Sequence, residues 1–259
     1  MNIPDWQLPA GVDRGLWDYL RSEEMVAGYD AQINVSLLAR SDVAFCERHF
    51  PTPGRLLDLG TGTGRLCVHF AARGFDCVGV DLSEVMLAQA KRNDVEQRVK
   101  WTHGNICELT DLANQSFDYV ACLFSTLGMV RSAELRQQVI ANAFRLLKPS
   151  GVFVLHVHNR WFKSLGLKRF RKADHAMPQA YGGAPLTLHH FTKGETSRML
   201  TTAGFRVYEV LPLGVETGVS PGWWPYGYLF SATRSDDSPH SKTREESHKS
   251  VTSPSADRG

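Results

Sequence analysis

Two carboxylates and a run of glycines carry the clearest chemistry in this chain. Asp58 stands two residues before the first of three alternating glycines, Gly60, Gly62 and Gly64, and Asp81 lies 21 residues beyond Gly60. Glycines let the backbone pass close to a ligand and take positive φ at little cost. A helix starting behind them offers unpaired N–H groups and a positive dipole end to a carboxylate or phosphate. Asp58 would add a fixed negative charge beside the turn, which suits an ammonium or sulfonium and repels a pyrophosphate. Further on, His156 and His158 share a face at spacing two. A neutral imidazole, with a pKa of about 6.5, can take a proton from a hydroxyl or ammonium. The same residues could equally be hydrogen-bonded supports for a strand end. A second pair, His189 and His190, invites a metal reading. No acid or cysteine falls at ligand spacing with the four histidines, so no metal is expected.

These side chains need elements to hold them. The apolar run Leu56 to Leu59 breaks into the glycine turn, and Arg65 to Ala72 continues as an apolar helical pattern. Strand, Gly-rich turn and helix in that order open a nucleotide-binding βαβ unit. A dinucleotide fingerprint, G-x-G-x-x-G, sets its third glycine five positions after the first. Here the third comes four positions after, and an acid two residues before the first is foreign to that pattern. A nicotinamide oxidoreductase is therefore the disfavoured rival. S-adenosylmethionine carries an ammonium, a sulfonium and a carboxylate, which suits the acid and the helix start together.

The acid-x-G-x-G-x-G pattern of Asp58, Gly60, Gly62 and Gly64 resembles the first motif of the class I S-adenosylmethionine-dependent methyltransferases. The resemblance continues through DCVGVDLSEVMLAQA (76–90), HGNICEL (103–109), FDYVACLFSTLG (117–128) and LLKPSGVFVLHVHN (146–159). It covers roughly residues 55 to 234. It implies an α/β fold: a doubly wound, mostly parallel seven-stranded sheet, Rossmann-like, with a reversed last strand. It also implies that Gly60, Thr61, Gly62 and Gly64 form the cofactor turn and that Asp81, ending the second strand, takes both ribose hydroxyls. Leu82 and Met86 could touch adenine or simply pack the helix core. Asn105 stands where the family often has an acid that bonds the adenine amino group; an amide can still accept that bond through its oxygen. Ile106 beside it could pack on the ring. Leu123, Phe124 and Ser125 end strand four, where the family lines its methyl-transfer centre. The (D/N)PP(Y/F) motif of many N-methyltransferases is missing there, which argues against methylation of an exocyclic base amine.

Composition excludes several other classes. The 259 residues are 42% hydrophobic and 22% charged, with a net charge of +2. That is ordinary globular material with one sizeable core, and no whole-chain field draws it to nucleic acid or membrane. Cys46, Cys67, Cys77, Cys107 and Cys122 are odd in number, without C-x-x-C spacing, and read as reduced core thiols. No secretory leader and no apolar run of about 20 residues is visible, so a cytoplasmic enzyme is expected.

Three segments follow. Residues 1–50 form an N-terminal cap segment, irregular to 14 and helical in periodicity from 15 to 49. From it Tyr29 could reach the cofactor, while Trp6, Trp17 and Tyr19 are expected to pack on the domain. Residues 51–234 alternate strand and helix. Strands are predicted at 55–59, 76–81, 98–102, 117–123, 151–157, 205–213 and 226–234. Helices are predicted at 64–73, 83–93 and 133–147, with another opened by a capping box, Thr192 to Glu195. The last two strands are close enough in sequence to pair antiparallel. An insertion at 160–191 holds Lys163, Lys168, Arg169, Arg171 and Lys172 among aromatics, and the resemblance implies that it supplies the acceptor cap; its charges could bind an anionic acceptor or RNA phosphates, or merely be solvated. Residues 235–259 hold too few apolar groups to offset ordering entropy and read as a disordered tail. The expected activity is methyl transfer from S-adenosylmethionine to an O- or N-nucleophile on a small molecule. A tRNA-modifying enzyme and a non-catalytic S-adenosylmethionine-binding module are the alternatives.

Overall fold

The short apolar runs form one sheet, whose central strands are buried on both faces and covered by helices on both sides. The structure, a computed structural model, describes residues 3–33, 36–162, 173–177, 186–214 and 225–235. Its strands are β1 (Arg55–Leu59), β2 (Asp76–Asp81), β3 (Val99–His103), β4 (Phe117–Cys122), β5 (Leu147–His158), β6 (Asp174–Met177), β7 (Leu186–His189), β8 (Phe205–Leu213) and β9 (Gly227–Arg234). Seven of them make the sheet, in the order β3-β2-β1-β4-β5-β9-β8. The strands β1 to β5 pair in parallel, while β9 is antiparallel to both β5 and β8. This is the expected doubly wound sheet with a reversed last strand. Strand order turns round between β1 and β4, so a crevice opens at their carboxyl ends.

The helices are α1 (Arg14–Leu20), α2 (Glu23–Ile33), α3 (Leu37–His49), α4 (Arg65–Ala71), α5 (Glu84–Asn93), α6 (Thr126–Met129), α7 (Ala133–Leu146) and α8 (Lys193–Thr202). Asp13, Ser36, Ser83 and Ser132 each accept a backbone N–H at a helix start. Thr192 and Glu195 close the predicted capping box. On one sheet face α7 buries Val139, Ile140 and Ala143 with Phe153 and Phe205. On the other, Phe45, Leu66 and Phe70 pack with Leu56 and Val154. A third cluster joins Leu16, Tyr19 and Val26 of the N-terminal helices to Met86, Leu186 and Leu188.

The differences from expectation are local. The single helical stretch at 15–49 is three helices, with a 3-10 turn at Asp5–Gln7 before them. Trp6 does not pack on the domain; it is 81% exposed. Tyr19 does, and Trp17 is half-buried under Arg21. A small sheet, β6 with β7, was not foreseen as a pair. The basic residues 163, 168, 169, 171 and 172, residues 181–185 and the tail from 236 lie outside the described residues. All five cysteines are free and buried. Among the described residues no helix is long and apolar enough to cross a membrane.

Candidate functional site

The turn after β1 is built by backbone and acid together. The N–H groups of Gly60 and Thr61 both donate to the Val80 carbonyl, at 2.8 and 3.0 Å, which ties the turn to β2. Gly60, Gly62 and Gly64 all have positive φ. Their reasons differ. A Cβ on Gly60 would sit 2.3 Å from Thr126 Cγ2, and one on Gly64 2.4 Å from the Trp101 ring. A Cβ on Gly62 would meet nothing within 4 Å. Gly62 therefore faces open space, whereas Gly64 packs against Trp101 at the start of α4.

Asp81 holds the first cleft. Its Oδ2 accepts from Gly62 N–H and its Oδ1 from Ser83 N–H, both at 2.8 Å. The residue is 7% exposed. Burial pushes its carboxyl pKa up, against the pull of those N–H groups. Each oxygen keeps a second lone pair for a ligand. Leu82, Met86, Asn105 and Ile106 line the same cleft, together with Gly60 and Gly62. The cleft encloses about 680 Å³, part of it open to solvent. Asn105 differs from expectation in its bonding. Its Nδ2 donates to the Ala10 carbonyl at 2.9 Å and its Oδ1 accepts from Cys107 N–H at 3.0 Å. The side-chain amide thus fastens the N-terminal segment over the cleft.

The second cleft lies across Gly60, Thr126, Met129, Tyr19 and Tyr29, which border both. It spans about 780 Å³, adjoining solvent space included, and is lined by Asp58, Thr61, Arg65, Leu123, Phe124 and His158, among others. Asp58, 4% exposed, accepts from Thr61 Oγ1 at 2.7 Å. Burial lifts its pKa to about 6, opposed by the Thr61 bond and the Arg65 charge. Arg65 Nη2 stands 3.4 Å from Asp42 Oδ2, while its Nη1 is buried with no hydrogen-bond partner. Phe124 and Ser125 follow β4 with φ of 52° and 61°. Two successive non-glycine residues in the left-handed region store strain of the kind found at ligand sites.

The structure separates the two histidines of β5. His156 is fully buried, lines neither cleft and stands with Nδ1 2.7 Å from Asp42 Oδ1, at ion-pair distance without hydrogen-bond geometry. A side chain enclosed between β5 and α3 has no path to an acceptor, which corrects its candidate catalytic role. His158 lines the second cleft and is 5% exposed. Its Nε2 is buried without a partner. Burial pushes its pKa well below the imidazole range, and His156 and His190 push it further. His189 is held between Asp174 and Glu195, at 2.8 and 2.9 Å, so acids distant in sequence do reach a histidine. Among the described residues no group of three or more His, Cys, Asp or Glu side chains is gathered to hold a metal ion.

The N-terminal helices are latched onto this site by polar contacts. Thr63 Oγ1 and Asn93 Nδ2 both donate to the Asp30 carboxylate of α2. Ser83 Oγ donates to the Leu20 carbonyl. Arg65, Asp42 and Tyr226 are site or support residues that sequence reasoning missed. Only Arg65, directly behind the third glycine, carried a signal by position.

Comparison with known proteins agrees with this geometry. Residues 56–151 match the family described as a methyltransferase domain. The chain is 30% identical to glycine/sarcosine N-methyltransferase of Aphanothece halophytica, over 53% of each protein. It is 32% identical to malonyl-[acyl-carrier protein] O-methyltransferase of Geobacter sulfurreducens, over 61% of this chain and 58% of that one. The chain spans about half the length of the curated relatives it matches. Its fold is that of 1,6-didemethyltoxoflavin-N1-methyltransferase from Burkholderia thailandensis, solved with 1,6-didemethyltoxoflavin and S-adenosylhomocysteine bound. The TM-score is 0.62 at 19% identity, covering 91% of this chain and 94% of that one.

Proposed function

Because the chain carries a class I methyltransferase domain, we propose that it binds S-adenosylmethionine across the two clefts and transfers the methyl group to a small-molecule acceptor in the second. The observation that carries this reading is the pair of buried carboxylates, Asp58 and Asp81, on either side of a glycine whose Cβ position is open. Asp81 would take the ribose hydroxyls, with Leu82, Met86 and Ile106 against the adenine. Asp58 would face the ammonium, and Arg65, which lines the second cleft, would face the carboxylate. Bound there, S-adenosylmethionine supplies a methyl group already activated by its sulfonium. The protein's own contribution is then positioning: rigid walls hold an acceptor nucleophile in line with the methyl carbon. Curated relatives act on small amines and on carrier-bound acids, which supports a small-molecule acceptor without naming one.

Calorimetric titration with S-adenosylhomocysteine and with NADH tests the cofactor. Binding of the first and not the second is expected; the reverse would overturn the reading. Incubation with methyl-labelled S-adenosylmethionine and a fractionated cell extract should yield a labelled small product. S-adenosylhomocysteine binding with no labelled product from any fraction would leave a binding module instead.

A further inference from the structure

A single arginine behind the clefts ties together the segments that form their walls. Arg131 follows α6, and its backbone N–H donates to the Gly11 carbonyl at 2.8 Å. Its guanidinium turns to three other carbonyls. Nη2 donates to Gly128 and Met129, both at 3.0 Å, and to Thr187 of β7, while Nε donates to Met129 at 3.1 Å. Nε also stands 3.6 Å from Asp13 Oδ2, and the other oxygen of Asp13 caps α1 through Leu16 N–H. Each tied segment carries part of a wall. Gly11 and Leu16 line the first cleft, and Met129 borders both. Leu186 and Leu188, on either side of Thr187, line the second. Arg131 itself is among the lining residues of neither. The fit of α6 to β7 is close as well. A Cβ on Gly128 would stand 2.6 Å from the His189 carbonyl oxygen, so β7 lies on bare backbone there.

We propose that Arg131 is a positioning residue that makes the N-terminal segment, α6 and β7 open and close as one unit, so that adenosine bound in the first cleft fixes the acceptor wall of the second. The proposal rests on the methyltransferase reading above. A guanidinium is a rigid planar fork, and hydrogen bonds weaken steeply as their angles close. Moving one tied segment away therefore strains the bonds to the others. A carbonyl that loses its donor in this joint is left short of a partner, which favours all the bonds being made or broken together. A ligand resting on Gly11 and Leu16 suppresses the open forms in which that segment leaves, and with them the open forms of β7. The Leu186–Leu188 wall is then set in the cofactor-loaded protein, which places acceptor binding after cofactor binding. Were Arg131 only a support for the end of α6, its loss would lower stability, and β7 would be indifferent to the first cleft.

The test uses 5′-methylthioadenosine, which carries the adenosine and lacks the amino acid that would reach Asp58. Amide hydrogen exchange is followed in the full chain, with and without this compound at saturation. In wild type, exchange should slow at 81–86, within the first cleft. It should also slow by roughly fivefold or more at 186–189, where no residue lines that cleft. In Arg131→Met the slowing at 81–86 should persist, while exchange at 186–189 should stay within about twofold of its unliganded rate. Arg131→Lys, whose ammonium offers three donors from one nitrogen, should keep most of the slowing at β7. If Arg131→Met does not fold, Arg131→Gln, with two amide donors for the four side-chain bonds, should lose it too. Exchange at 186–189 unmoved in wild type while 81–86 slows would overturn the proposal. So would slowing at β7 that survives intact in Arg131→Met or Arg131→Gln. No slowing anywhere in wild type, with 5′-methylthioadenosine or with S-adenosylhomocysteine, would overturn the underlying reading instead.

Discussion

At the scale of single residues, two buried acids bear on both stability and binding. Asp81 organises the first cleft by accepting two N–H bonds. Asp81→Ala should weaken S-adenosylhomocysteine binding by roughly 1.5–3 kcal/mol, the range for bonds to a charged group. Unchanged affinity by calorimetry in a folded variant would remove the ribose assignment. Asp58 titrates at about 6 because it is buried, well above its value in an unfolded chain. A raised carboxyl pKa gives stability that is full at low pH and is lost as pH rises through about 6. Ionised Asp58 therefore costs the free protein stability near neutral pH. Asp58→Asn should raise stability at pH 8 by roughly 1–3 kcal/mol while weakening cofactor binding. Binding in wild type should run the other way with pH. It should be full above about 6 and fall by up to about tenfold per unit below, as a proton competes with the ligand cation. A flat affinity profile from pH 5 to 8 would show that Asp58 does not face that cation.

Among the elements, the glycine turn separates ligand contact from packing. Gly62→Val should abolish S-adenosylhomocysteine binding, because its Cβ enters open space, while its positive φ costs roughly 1–3 kcal/mol of stability. Gly64→Ala should spare binding. It should cost roughly 1–3 kcal/mol through positive φ and collision with Trp101, with binding retained in whatever fraction folds. Denaturant unfolding and calorimetry on both variants check this. The sequence made these glycines visible but could not sort them, since the partner that decides each one, Thr126 or Trp101, is remote in sequence. The βαβ alternation was legible for the same reason that the strands form: each is a short apolar run bounded by turn residues. The two histidines of β5 were equally legible as a pair. Their separation was not, because it depends on Asp42, supplied by α3 from over a hundred residues earlier. The left-handed pair Phe124–Ser125 left no trace in residue type either, since neither is a residue that prefers that conformation.

Over the whole molecule, the N-terminal helices roof the clefts that the sheet opens. Leu16, Tyr19 and Tyr29 reach those clefts, and Asp30, Asn105 and Ser83 anchor the roof. Saturating S-adenosylhomocysteine should slow amide hydrogen exchange across 14–33 as well as at the glycine turn. It should also raise stability by about 2.7 kcal/mol at a hundredfold excess over Kd. Unchanged exchange at 14–33, with slowing at the turn, would show that the roof takes no part in holding the ligand.

The roof has a consequence for how the protein is made. Leu16, Tyr19 and Val26 bury themselves against Met86 and, beyond it, against Leu186 and Leu188 of β7. Arg131 bonds the carbonyls of Gly11 and Thr187 through its backbone and side chain respectively, so it stitches the same two ends together. During synthesis residues 14–33 emerge long before 186–188. Their apolar face has no complete seat until most of the sheet exists. A ribosome paused before β7 would therefore carry a nascent sheet with its N-terminal helices only partly seated and open to chaperones.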